Sequence, residues 1–179
     1  MQKRSLLRRQ LIAAWKQTID TRYSNQLINS ERGLQCYFCA ALLQEFDGLE
    51  RRLFIEPRMT THTLERRFPD IVIRNSKQVI GVVEIKYQPR GHAIYEKDLE
   101  TLQWVASHPD GFTISNDRYL GPRDKKKYTL AGDAVLCWAG VYKGKQEDVK
   151  SQVSALLHPR FLDLHALTHP NEPAQTIPR

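Results

Sequence analysis

The residues best suited to chemistry lie in one stretch, Phe68 to Tyr87, FPDIVIRNSKQVIGVVEIKY. Asp70, Glu84 and Lys86 stand in or at the edge of apolar runs. Charge in such surroundings is costly unless it is paired or holds a metal. Side chains alternate along a strand, so Glu84 and Lys86 share one face. If the two runs pair as strands, Asp70 comes to lie beside them. Two carboxylates and an ammonium then converge, a set able to hold a hard divalent cation and to assist attack by its water.

The elements that must position these groups are legible around them. Ile71-Val72-Ile73 is a short β-branched run, Asn75-Ser76-Lys77 supplies a turn, and Val79 to Ile85 reads as a strand buried on both faces. Before them, Ser30 to Phe46 reads as a helix capped by Asn29 or Ser30, with Leu34, Phe38, Ala41 and Leu42 as its buried stripe. At 3.6 residues per turn Glu31 falls in line with Phe38. Glu31 is either a first-turn acid favouring the helix dipole or a carboxylate delivered into a shared site.

A chain of 179 residues is long enough for one domain with a real core, and its charged fraction of 26% is that of an ordinary globular chain. No apolar run approaches the ~20 residues that span a bilayer, and with a basic start followed by only a short apolar patch no signal peptide is expected. No membrane partner is expected. Three cysteines are an odd number, which favours reduced thiols and a cytoplasmic setting. Cys36 and Cys39 form a CxxC inside a helix with no second pair at zinc spacing, so these and Cys137 read as packed thiols. Lys and Arg outnumber Asp and Glu by 27 to 20, an excess that suits a polyanionic partner.

The remaining elements follow in order. Residues 3 to 19 read as a helix whose basic first half (Lys3, Arg4, Arg8, Arg9) is either a solvated face or a contact to phosphates. Leu53 to Glu56 reads as a short strand, and Pro57 to Arg67 as a polar connection. Arg90 and His92 lie in the loop past Tyr87, within reach of a phosphate or as ordinary loop polarity. His62 has less claim. Ala93 to Ser107 reads as a helix, Phe112 to Ser115 as a short strand and Ala134 to Tyr142 as a buried strand. The basic run Arg123-Asp124-Lys125-Lys126-Lys127 is either a solvated turn or a clamp on nucleic acid. A last helix fits Gln146 to Leu157. Four of the nine prolines fall in residues 158–179, which predicts an extended or disordered tail with His158, His165 and His169 solvated. A single domain over residues 1–157 is expected.

The order helix, strand, strand, strand, helix, strand, with Pro69-Asp70 and Glu84-Ile85-Lys86, resembles the PD-(D/E)xK nuclease superfamily over about residues 30–142. The resemblance implies an α/β fold with a restriction-endonuclease-like core: a mixed central β-sheet flanked by helices (αβββαβ), here with extra N- and C-terminal helices. It implies Asp70, Glu84, Lys86 and Glu31 as catalytic residues. Mg²⁺ or Mn²⁺ would be held by Asp70, Glu84, Glu31 and the Ile85 carbonyl. Lys86 would orient the water, stabilise developing charge or act as base. Arg90, His92, Arg123, Lys125, Lys126 and Lys127 would contact nucleic acid. The implied activity is an Mg²⁺-dependent deoxyribonuclease, an endonuclease leaving a 5′-phosphate and a 3′-hydroxyl, with DNA favoured over RNA by family frequency. Some branches carry Q-x-x-x-Y on the following helix; here Gln103 is present but Ser107 stands in place of the tyrosine, which argues against the exonuclease-like branch.

With no separate reading domain in view, the expectation is weakly specific or structure-specific cutting, a homodimer, or recruitment by a protein partner. Two rivals remain. One is a catalytically inactive nuclease-fold module that binds nucleic acid or a protein. The other is a structural protein in which Glu84 and Lys86 only form an ion pair at a strand end.

Overall fold

The computed structural model describes residues 2–115, 120–121, 126–149 and 157–179, and its description of Gln2, Lys3 and Asp148 is confined to the backbone. Among these residues the chain is a mixed α/β structure with three α-helices and nine strands. The helices are α1 (Gln2–Thr18), α2 (Glu31–Glu45) and α3 (Glu96–Ser107). The strands are β1 (Arg52–Ile55), β2 (Arg58–Thr60), β3 (Arg66–Arg67), β4 (Ile71–Arg74), β5 (Gln78–Gln88), β6 (Phe112–Ser115), β7 (Lys127–Lys143), β8 (Phe161–His169) and β9 (Glu172–Pro178).

β5 and β7 form the spine. They run parallel, with Glu84 opposite Trp138 and Lys86 opposite Gly140, and α3 makes the crossover that parallel neighbours require. β4 turns back antiparallel on β5 through Asn75, whose side chain accepts from the N–H groups of Lys77 and Gln78. β1 adds antiparallel to β4. On the other side β8 runs parallel to the second half of β7, and β9 is antiparallel to β8. The first residues of β7, Lys127 and Tyr128, pair with β6, which continues to β2 and β3.

The strand faces divide between the helices. Leu7 of α1 packs against Gly81, so the odd-numbered face of β5 looks towards α1 and α2. The side chains of Glu84 and Lys86 look towards α3. Leu7, Leu11, Ala14 and Trp15 bury the predicted stripe of α1. Two of its basic side chains are used inside the molecule: Arg4 bonds Asp133 at 2.6 Å, and Arg8 donates to the carbonyls of Pro159 and Phe161. α2 is capped by Ser30, which accepts from Gly33 N–H at 3.1 Å.

Four expectations are corrected. Residues 158–179 are no extended or disordered tail, because residues 161–178 supply two strands of the sheet. Leu162, Leu164, Ala166 and Leu167 there are buried, which offsets the cost of ordering the segment. His165 is fully buried rather than solvated. Between Pro57 and Arg67, which was expected to be a polar connection, two short strands form by pairing with β6. Cys36 is exposed, unlike Cys39 and Cys137. Of the expected last helix, Gln146–Asp148 is a single 3₁₀ turn, and residues 150–156 lie outside the described residues. No described helix is long and apolar enough to cross a membrane.

Candidate active site

β4 is shorter than β5, and this difference builds the site. Their pairing stops at Ile71 opposite Val83, while β5 continues to Gln88. Backbone groups on the vacated edge must still find partners. Asp70 and Glu31 supply them: Asp70 Oδ2 accepts from Ile85 N–H at 2.6 Å, and Glu31 Oε2 accepts from Tyr87 N–H at 3.1 Å. N–H and C=O of one strand residue point to the same side, so the Ile85 carbonyl faces this edge too. A cleft of about 250 Å³ opens here, lined by Glu31, Arg32, Gln35, Glu56, Asp70 and Ile85.

Asp70 is fixed from several directions. Its own carbonyl accepts from Glu56 N–H at 2.9 Å and from Gln35 Nε2 at 3.1 Å. Its carboxyl is also closely coupled to that of Glu84. Glu84 is 6% exposed, and its Oε1 has no hydrogen-bond partner among the described residues. Burial pushes Asp70 up to about 6, against the pull of the Ile85 N–H and helped by the charges of Glu31 and Asp98. Burial also lifts Glu84 well above the usual carboxylate range, with further push from Asp70 and Asp98. The pair is unequal: Asp70 raises Glu84, while the proton kept on Glu84 eases ionisation of Asp70, since two adjacent acids cannot both ionise cheaply without a cation.

Asp98 is a member that the sequence reading missed. It comes from α3, is 8% exposed, and accepts the indole N–H of Trp138 at 3.1 Å. Burial raises its proton affinity, while the Trp138 hydrogen bond and the Lys86 charge oppose that rise. Its signal was present: Asp98 lies at helical spacing from buried Leu102 and Val105, the same relation that singles out Glu31. Lys86 is half-buried on the Glu84 face of β5. Trp138 lies flat over Gly140, where any Cβ would stand 2.0 Å from the ring.

Asp70, Glu84, Lys86, Ile85 and Glu31 are therefore gathered at one end of β5. Arg90 and His92 are exposed in the following loop, and Arg90 lines a larger neighbouring cleft. The structure does not bring Lys126 and Lys127 to the acids. They lie at the start of β7, where Thr129 pairs with Gln78, six residues back along β5 from Glu84, roughly 20 Å away. Lys126 instead donates to Ser76 O at 3.0 Å and shares a basic cleft with Arg51, Arg52 and Arg74. Arg123 and Lys125 lie outside the described residues.

Asp70, Glu84 and the Ile85 carbonyl are hard oxygen donors of the kind that suit Mg²⁺ or Mn²⁺. The orphaned Glu84 oxygen and the forced contact of two acids fit such an ion. Among the described residues no group of three or more His, Cys, Asp or Glu side chains is arranged to hold a metal ion, so a metal here would rest on two carboxylates, a carbonyl and water. Comparison with family models, curated proteins and solved structures finds no match.

Proposed function

We propose that this chain is a metal-dependent nuclease of the PD-(D/E)xK type that hydrolyses DNA phosphodiester bonds as an endonuclease. The observation that carries the reading is the closely coupled Asp70–Glu84 pair of buried acids at the point where β4 stops and β5 goes on. The succession α2, β1, β4, β5, α3, β7 supports it, since it follows the αβββαβ order with β2, β3 and β6 as insertions. A restriction-endonuclease-like core is part of the same proposal.

In this mechanism Asp70, Glu84 and the Ile85 carbonyl would hold Mg²⁺ or Mn²⁺. When bound, that ion neutralises charge on the phosphate and lowers the pKa of a water. Lys86 presents its ammonium to the phosphate oxygens, where negative charge grows as the P–O bond breaks. Asp98, anchored by Trp138, faces Lys86 electrostatically and positions it. Glu31 holds the strand edge through Tyr87 N–H and sits close enough to affect the charge of Asp70.

Cleavage of supercoiled plasmid and of linear and branched DNA by wild type, Lys86→Ala and Glu84→Gln, each with Mg²⁺, Mn²⁺ or EDTA, tests this. Cutting should require the metal, slow by about 100-fold or more in Lys86→Ala and vanish in Glu84→Gln. Cutting that persists in EDTA or in Glu84→Gln overturns the assignment. Failure of folded wild type to cut or to bind Mn²⁺ overturns it in favour of the non-cleaving module.

A further inference from the structure

A cleft of about 1000 Å³ opens beside the acids. The two clefts lie in line along one face of β5. Ile85 lines the smaller, Tyr87 lines the larger, and two residues of strand separate them by roughly 7 Å. Glu31 bridges the junction by holding Tyr87 N–H.

The walls of the larger cleft are specific in kind. Tyr87 is locked by its hydroxyl, which donates to Ile28 O at 3.1 Å. Tyr23 stands against it at 6.2 Å and 72°. In such an edge-on pair the faces of the edge-on ring remain uncovered by its partner. Arg90 and Lys143 bring two exposed cations, His169 a titratable ring, and Glu172 one opposing acid. The wall behind them is pinned, since Lys143 N–H donates to Gly91 O at 2.8 Å and Thr168 Oγ1 to Pro89 O at 2.7 Å.

Rigid aromatic rings beside cations in a groove are how unpaired bases and their backbone are held without sequence preference. A base inside a duplex offers no free face to stack on. We propose that this cleft binds the unpaired nucleotides of a single-stranded segment of DNA. Tyr23 and Tyr87 stack the bases, Arg90 and Lys143 hold the phosphates, and the next phosphate along β5 is carried to the Asp70–Glu84 pair. The inference rests on the nuclease reading for the fate of that strand, but the binding step itself needs no metal.

Fluorescence anisotropy in EDTA with labelled oligothymidylate, the matching duplex and an abasic oligonucleotide tests it on wild type, Tyr23→Leu, and Arg90→Glu with Lys143→Glu. Single-stranded DNA should bind wild type at least about tenfold more tightly than either control. Tyr23→Leu should lose about tenfold for the base-bearing strand and little for the abasic one. The double charge reversal, at exposed positions that spare the fold, should weaken both strands. Equal binding of strand and duplex, or wild-type affinity in both variants, overturns the proposal. Metal-dependent cutting without single-strand binding refutes this inference alone; single-strand binding without cutting by any metal supports it and refutes the nuclease reading.

Discussion

Asp70 takes over from a β-strand: its carboxylate accepts the Ile85 N–H at 2.6 Å, where β4 has ended and β5 has lost its backbone partner. One side chain thus completes the sheet and stands in the acid pair with Glu84. Burial in that place leaves a carboxyl that resists ionising, although the Ile85 N–H pulls the other way.

This resistance predicts a pH dependence with a definite sign. Asp70 rises from its ordinary value near 3.8 to about 6 on folding, and Glu84 rises also. The folded state therefore holds these protons more tightly than the unfolded state. Their contribution to stability is complete below the unfolded value and is lost as pH rises through about 6 and beyond. Thermal unfolding of metal-free protein should show a falling Tm across that window, less so in Asp70→Asn. Saturating Mn²⁺ should do little near pH 5 and raise the Tm by about 5 °C or more at pH 8. A metal-induced shift that is independent of pH would refute the account.

Asp98→Asn removes a charge while leaving an oxygen for the Trp138 indole. The charge of Asp98 helps to raise both Asp70 and Glu84. Its loss should move the acid-pair transition in metal-free Tm to lower pH, because each acid then ionises more easily. Cleavage should fall by about tenfold as Lys86 loses its positioning partner. Unchanged pH behaviour of the Tm would place Asp98 outside the site.

Gly140 is required by the indole lying over it. A methyl group there would meet Trp138 at 2.0 Å, so Gly140→Ala must push the ring off the sheet and away from Asp98. Denaturant unfolding should show a loss of about 3 kcal/mol or more, and cutting should fall with it. A variant as stable as wild type would mean that the ring rests elsewhere.

The C-terminal strands should prove indispensable. Leu164 is fully buried in β8 between β7 and β9, and Leu164→Ala should cost about 2–5 kcal/mol in denaturant unfolding. A chain ending at Leu157 should fail to give soluble folded protein. A stable, cooperative truncated chain would return residues 158–179 to the status of a tail.

The sequence by itself determined the elements whose cause is local. The 3.6-residue stripe of α1 and α2, the Asn75 turn and the apolar run of β5 each sit where spacing and turn chemistry put them. It also singled out Asp70, Glu84 and Lys86, because charge inside an apolar strand is conspicuous in one dimension. Tertiary structure alone decided the rest. Asp98 reaches the acids only because α3 crosses over β5 and β7, and Lys126 and Lys127 are carried to the far end only because β7 is seventeen residues long. The prolines of the C-terminal segment suggested disorder, yet β8 and β9 form because β7 offers them a long buried edge. Pairing of that kind depends on a partner strand distant in sequence, and no local pattern carries it.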